Sequence, residues 1–137
     1  MIIAICTSMV FTDRMLEAKK ALESRGHKVY VSEFADAYVG KGLEESERLA
    51  IVHKKENDAI RVHWEKIKKS DAILVLNYDK RGVKNYVGGN TLMEMGFAYV
   101  LNKRIFMLNP APEIPYYKSE IEAMRPVILN GDLSKIK

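Results

Sequence analysis

Residues 72–77 read AILVLN, five consecutive apolar side chains followed by a polar stop. The run has no polar alternate positions to turn toward water, so it reads as a strand buried on both faces. Such a strand belongs inside a sheet, and each face of that sheet needs a layer of helices against it.

Four more short runs repeat the signal: IIAIC at 2–6, VYVSEF at 29–34, RIFMLN at 104–109 and PVILN at 126–130. Helical patterns alternate with them. Thr12 or Asp13 can cap a helix reaching about Arg25, with Met15, Leu16, Ala18 and Leu22 near helical spacing. Gly26 then stands where a helix end favours a left-handed residue. The charged stretch 35–70, broken early by Gly40 and Gly42, predicts helices over 43–53 and 55–69. A further helix runs from Thr91 to Leu101, and a short one near 117–124 follows the PAPEIP loop. Five strands alternating with helices predict one α/β domain over residues 1–137, a three-layer α/β/α with a parallel five-stranded sheet. By analogy with flavodoxin-like folds, the expected strand order is 2-1-3-4-5.

Charge and composition remove several classes of function. The 22 basic and 18 acidic residues leave a net charge of +4, and the basic residues are interleaved with acids, as in KKENDAIRVHWEKIKK. That is the pattern of a solvated helix face rather than a stripe for a nucleic acid polymer. No apolar run approaches the length of a membrane span, and MIIAICTSMVF reads as a first strand, not a signal peptide. The single cysteine cannot form an internal disulfide, which fits a reducing, cytoplasmic setting. A Walker-type loop and a G-x-G-x-x-G are absent, and no His, Cys, Asp and Glu residues fall at metal-ligand spacing. Neither a cofactor nor a metal is expected.

In open parallel sheets ligands bind beyond the carboxyl ends of the strands. Three loops should meet there: CTSMVFTD after the first strand, NYDKRGVKNYVGGNT after the third and NPAPEIP after the fourth. Their candidate ligand contacts are Thr7, Ser8, Met9 and Phe11, then Asn77, Tyr78, Gly88, Gly89 and Asn90, and finally Asn109. Hydroxyls and free N–H groups at a helix start can hold an anion, or they can simply cap the helix. Glycines let a backbone approach a ligand, or make a tight turn. Tyr78 and Tyr86 can stack on a base or pack in the core.

Glu94 is the one carboxylate in the greasy segment TLMEMGFAYVL. Thr91-x-x-Glu94 matches a capping box, in which the glutamate reaches back to the cap N–H. The other reading is a carboxylate aimed into the crevice, able to attack an electrophilic sugar carbon.

The stretch DAILVLN followed by GGNTLMEMGFAYVLNKRIFMLN resembles the central motif of the nucleoside 2-deoxyribosyltransferase-like family, which includes deoxyribonucleoside 5′-monophosphate N-glycosidases. The resemblance covers roughly residues 71–109 and rests on Asn90, Glu94, Gly96, Ala98 and Asn102-Lys103. It implies that Glu94 is the nucleophile at the anomeric carbon of a nucleoside or nucleotide. It also implies that the loop after the first strand holds the 5′ end and that the protein is a homo-oligomer. Two positions depart from the family pattern. Gly88 stands where the transferases carry an acid six residues before the nucleophile, and His63 stands where they carry an aspartate. His63 is then a candidate general acid, and Asp79 a candidate stand-in for the other carboxylate. The alternative to an enzyme is a non-catalytic module of the same fold that binds or senses a nucleotide.

Overall fold

The computed structural model describes residues 1–137 as five strands, five α-helices and three short 3₁₀ turns. The strands are β1 (Ile2–Cys6), β2 (Lys28–Tyr30), β3 (Ala72–Val75), β4 (Arg104–Met107) and β5 (Val127–Ile128). All neighbours pair in parallel, in the order β2-β1-β3-β4-β5 expected from the sequence. The helices are α1 (Thr12–Glu23), α2 (Leu43–Glu56), α3 (Ala59–Lys68), α4 (Gly89–Val100) and α5 (Lys118–Ala123).

The period-2 alternation of strands sorts the core into two layers. Ile3 and Ile5 of β1, Ala72 and Leu74 of β3 and Phe106 of β4 face one side, against Met15, Ala18 and Leu22 of α1. Ala4 and Cys6, Ile73 and Val75, and Ile105 and Met107 face the other, against Ile67 of α3, Met95 and Ala98 of α4 and Ile121 of α5. All four residues of β3 are buried, as a strand clothed on both faces requires. No helix is long and apolar enough to cross a membrane.

Three expectations change. The second strand stops at Tyr30 instead of continuing through VYVSEF. Lys66 Nζ takes the Val31 carbonyl at 2.8 Å, and Ser32 turns the chain by accepting from the Phe34 N–H at 3.2 Å. Thr12 does not cap α1. Its hydroxyl donates to Met9 O at 2.6 Å, closing a 3₁₀ turn over Met9–Phe11 that leads into the helix. The charged stretch divides later than expected, at Asn57 and Asp58, where Asp58 adopts φ 53 and ends one helix before the next begins.

The carboxyl ends of β3 and β4 are tied by paired asparagines. Asn77 accepts the Asn109 N–H at 3.0 Å and donates to the Asn109 and Pro110 carbonyls, while Asn109 Nδ2 donates to Asn77 O. Asn77 is fully buried, so both polar groups of its side chain are spent on this clamp.

Phe106, 1% exposed, fills the centre of the α1-side layer. Truncation to alanine should cost about 3–5 kcal/mol of stability, as removal of a buried aromatic does, read by chemical denaturation.

Candidate functional site

A cavity of about 310 Å³ opens at the carboxyl end of β1, where the loops after β1 and β3 meet the start of α4. Thr7, Ser8, Met9, Gly88, Gly89, Asn90, His63 and Glu94 all line it, and the sequence nominated each of them.

Glu94 is not a cap. α4 begins at Gly89 with Gly88 as its N-cap, which puts Glu94 in the second turn rather than at the third helical position. The capping-box expectation fails because two glycines extend the helix backward past Thr91. Glu94 is 5% exposed and reaches the cavity from beneath. Burial pushes its carboxyl up to about 8, partly offset by a hydrogen bond from the Cys6 thiol.

His63 projects from α3 into the same corner. Its Nε2 lies 3.0 Å from the Ile5 carbonyl, which can only accept, so Nε2 carries the proton. Burial holds His63 down to about 4, so the ring is neutral at physiological pH. Nε2 also stands 3.7 Å from Cys6 Sγ and 3.8 Å from Glu94 Oε2. With the imidazole uncharged, the latter contact is no ion pair. Desolvation holds the Cys6 thiol well above its ordinary range, and the neighbouring Glu94 adds to it, so the sulfur stays protonated. All three groups are therefore neutral together at physiological pH.

Cys6, His63 and Glu94 place one sulfur, one nitrogen and one oxygen within 4.8 Å of one another, the spacing of a metal-ligand set. Ligands must be deprotonated and must turn a lone pair toward the ion. Here the His63 proton faces a backbone carbonyl, and without an ion the thiol and carboxyl keep theirs. His63 Nδ1, by contrast, is buried without a partner. Ser46 Oγ and Asn90 Oδ1 share that condition, and all three residues line this cavity. Unmet polar atoms on α2, α3 and α4 around one cavity mark where a polar ligand would complete them.

A cationic group stands at the mouth. Lys80 Nζ donates to Ser8 Oγ at 3.0 Å and sits 5.0 Å from the Tyr86 ring. Burial lowers its ammonium, and the Glu47 carboxylate raises it in turn. Tyr86 also accounts for Gly88. A side-chain carbon there would meet the Tyr86 ring at 3.1 Å, so the tyrosine fills the space beside Gly88.

Other nominated residues lie outside the lining. Asn77 and Asn109 form the strand clamp. Phe11 packs edge-on to Tyr78 at 5.2 Å, and Tyr78 carries the Arg14 guanidinium 4.3 Å above its ring. Asp79 is exposed and accepts the Asn85 N–H at 2.9 Å, which shapes the loop; it is not brought to Glu94.

The roof of the cavity came from a segment that reads as solvated. Ser46, Glu47, Ala50, Ile51, His53 and Lys54 of α2 all line it, joined by Ser32, Phe34 and Tyr38. Arg81 holds this roof to the loop after β3 through Glu47, at 2.6 and 3.1 Å. The trace in the sequence was the spacing of Ser46, Ala50 and His53, two small residues and an imidazole sharing one face among Lys, Arg and Glu. His53 is half-buried, and His27 is buried against the Met1 amine at 3.0 Å.

The same architecture occurs in solved structures. A 2-deoxyribosyltransferase from the psychrotolerant bacterium Bacillus psychrosaccharolyticus superposes with a TM-score of 0.52 at 20% identity, covering 83% of this chain and 76% of that one. The chain has the fold of a 2-deoxyribosyltransferase. A CMP N-glycosidase from Clostridium botulinum superposes with a TM-score of 0.52 at 14% identity, covering 95% of this chain and 90% of its own. No protein-family model matches the sequence, and no curated protein matches it.

The Glu94 carboxyl ionises near 8 in the fold and near its ordinary 4.5 when unfolded, so the folded state keeps a proton the unfolded chain loses. Stability should therefore fall as pH rises from about 4.5 to about 8 and level off above. Glu94→Gln has no proton to lose. The melting temperature of this variant should draw ahead of wild type across that window by several degrees. A gap that stays constant with pH would mean that the folded protein already carries Glu94 ionised.

Proposed function

We propose that this protein cleaves the N-glycosidic bond of a nucleoside or nucleotide, with Glu94 as the nucleophile that receives the sugar. The observation carrying this reading is a buried carboxyl that caps nothing and faces a cavity of nucleoside size. Attack by a Glu94 oxygen on the anomeric carbon would leave a glycosyl ester, which water would then hydrolyse or a second base would capture. Hydrolysis needs only water, whereas transfer needs a retained acceptor. The similarity of fold to a 2-deoxyribosyltransferase and a CMP N-glycosidase supports the same chemistry.

In this reading Lys80, Ser8 and the N–H groups at the start of the first 3₁₀ turn receive the 5′ end, a phosphate above all. His63 is a positioning residue. Fixed by the Ile5 carbonyl, it offers Nδ1 to a ligand hydroxyl. Tyr99 and Val100, exposed at the end of α4, are the apolar surface for a homo-oligomer.

A non-catalytic nucleotide-binding module has one observation in its favour. At neutral pH most of the empty protein carries Glu94 protonated, a state suited to donating a hydrogen bond rather than attacking carbon.

Base release separates the two. Wild type and Glu94→Gln are incubated with ribo- and deoxyribonucleosides and their 5′-monophosphates, and free base is resolved by chromatography. Wild type should release base from at least one class, and Glu94→Gln should be slower by on the order of 10³-fold or more. Ligand-induced thermal stabilisation without base release from any substrate would instead favour the binding module.

The pH dependence follows from the carboxyl. Because the nucleophile must be ionised, kcat/KM should climb about tenfold per pH unit through acid pH, where ionised Glu94 is the scarce form. A profile already flat at pH 5 to 6 would remove Glu94 as the group that must ionise.

A further inference from the structure

Breaking a glycosidic bond needs a proton for the departing base as well as a nucleophile for the sugar. The groups around Glu94 do not supply one. His63 is neutral and its ring proton faces the Ile5 carbonyl. Asp79 lies outside the cavity, tied to Asn85.

His53 is different in kind. It stands on the α2 wall of the same cavity as Glu94. Its ring lies parallel to Phe34, with centroids 4.5 Å apart and 18° between the planes. Its Nδ1 is 2.7 Å from the hydroxyl of Tyr38, which is itself only 3% exposed and cannot wander. One nitrogen is thus tied down and the ring plane is clamped, which leaves Nε2 as the nitrogen without a hydrogen bond in the protein. An imidazole oriented through one nitrogen and open at the other has the arrangement of a general acid–base residue. Phe34 and Tyr38 line the cavity beside it and give that wall the flat aromatic character suited to a base.

We propose that His53 is the catalytic acid for the departing base, oriented by Tyr38 and Phe34. The proposal rests on the glycosidase reading above. In the first step the imidazolium gives its Nε2 proton to the base nitrogen as the C–N bond breaks and its electron pair passes to that nitrogen. A Glu94 oxygen forms the new bond to the anomeric carbon. The ring is left neutral, with Nδ1–H donating to the Tyr38 oxygen. In the second step water loses a proton to the vacant Nε2 as its oxygen bonds to the anomeric carbon. The ester bond breaks, its pair returns to the Glu94 carboxylate, and the site is restored.

The test compares two leaving groups on one enzyme. The first substrate is the nucleoside or nucleotide that wild type cleaves best, and the second is the matching glycosyl fluoride, whose fluoride departs without needing a proton. His53→Gln should lose about 10²-fold or more on the first and less than about tenfold on the second. Equal loss on both, or no loss on the nucleoside, would overturn the assignment. Should His53→Gln fail to fold, Tyr38→Phe keeps the aromatic packing and removes only the orienting hydroxyl. It should shift the same ratio in the same direction, and an unchanged ratio would again sink the proposal. Wild type inert toward both substrates would end the glycosidase reading and His53's role with it. An active wild type with an unmoved ratio ends the His53 assignment alone.

Discussion

β3 pairs with a neighbour along each edge and buries every side chain on each face. Polar groups cannot be placed along such a strand, so they collect where it ends. The Asn77–Asn109 clamp settles the backbone there by giving the loops after β3 and β4 fixed partners across the sheet. β1, next to β3 in the sheet, meets the same constraint. Its last residue, Cys6, faces the α3 and α4 layer, and the chain then turns away at Thr7, whose hydroxyl donates to Leu76 O at 2.6 Å. The cavity is what remains between these turns and the start of α4. Its position follows from the burial of the strands, not from any feature of the ligand.

That dependence explains which parts of the molecule were legible in the sequence. Strand order and the two faces of the sheet follow from apolar runs and their alternation, which are local signals. Glu94, His63, Thr7, Ser8 and Gly88–Asn90 were visible because each is chemically out of place in its surroundings or sits where a strand ends. The roof was not visible. α2 buries only Ser46, and its cavity-facing residues are mixed with Lys, Arg and Glu that face water. A helix that covers a polar cavity has no apolar stripe to announce it. His53 was hidden in the same way, since its partners Phe34 and Tyr38 belong to a segment with no regular period. Asn77 and Asn109 are legible as polar stops where strands end. The structure gives the Asn77 amide to the clamp and leaves the Asn109 side-chain oxygen without a partner in the protein.

The electrostatics of the corner come from the same burial. An imidazolium 3.8 Å from a carboxylate would hold that carboxylate ionised, but the desolvation that raises Glu94 also discharges His63. The two settle jointly into a neutral state, and the thiol of Cys6 stays neutral beside them. Below about pH 8 ionised Glu94 is then costly in the empty protein and becomes favourable when positive charge arrives next to it. A sugar carbon losing its base develops that charge in the transition state and carries less of it in the ground state. Stabilisation would therefore be concentrated where it accelerates reaction rather than where it merely tightens binding.

The same reasoning weighs against a purely binding role for this carboxyl. A glutamine at position 94 would present a donor and an acceptor to a sugar hydroxyl from nearly the same volume. It would also avoid the loss of stability that a titrating buried acid brings as the pH rises. Retaining an ionisable group in so dry a corner makes physical sense when its charge is used, and the group that uses it must be transiently cationic. The roof carries a clamped imidazole on the same cavity, and the proposed division of labour gives the carboxyl to the sugar and the histidine to the base.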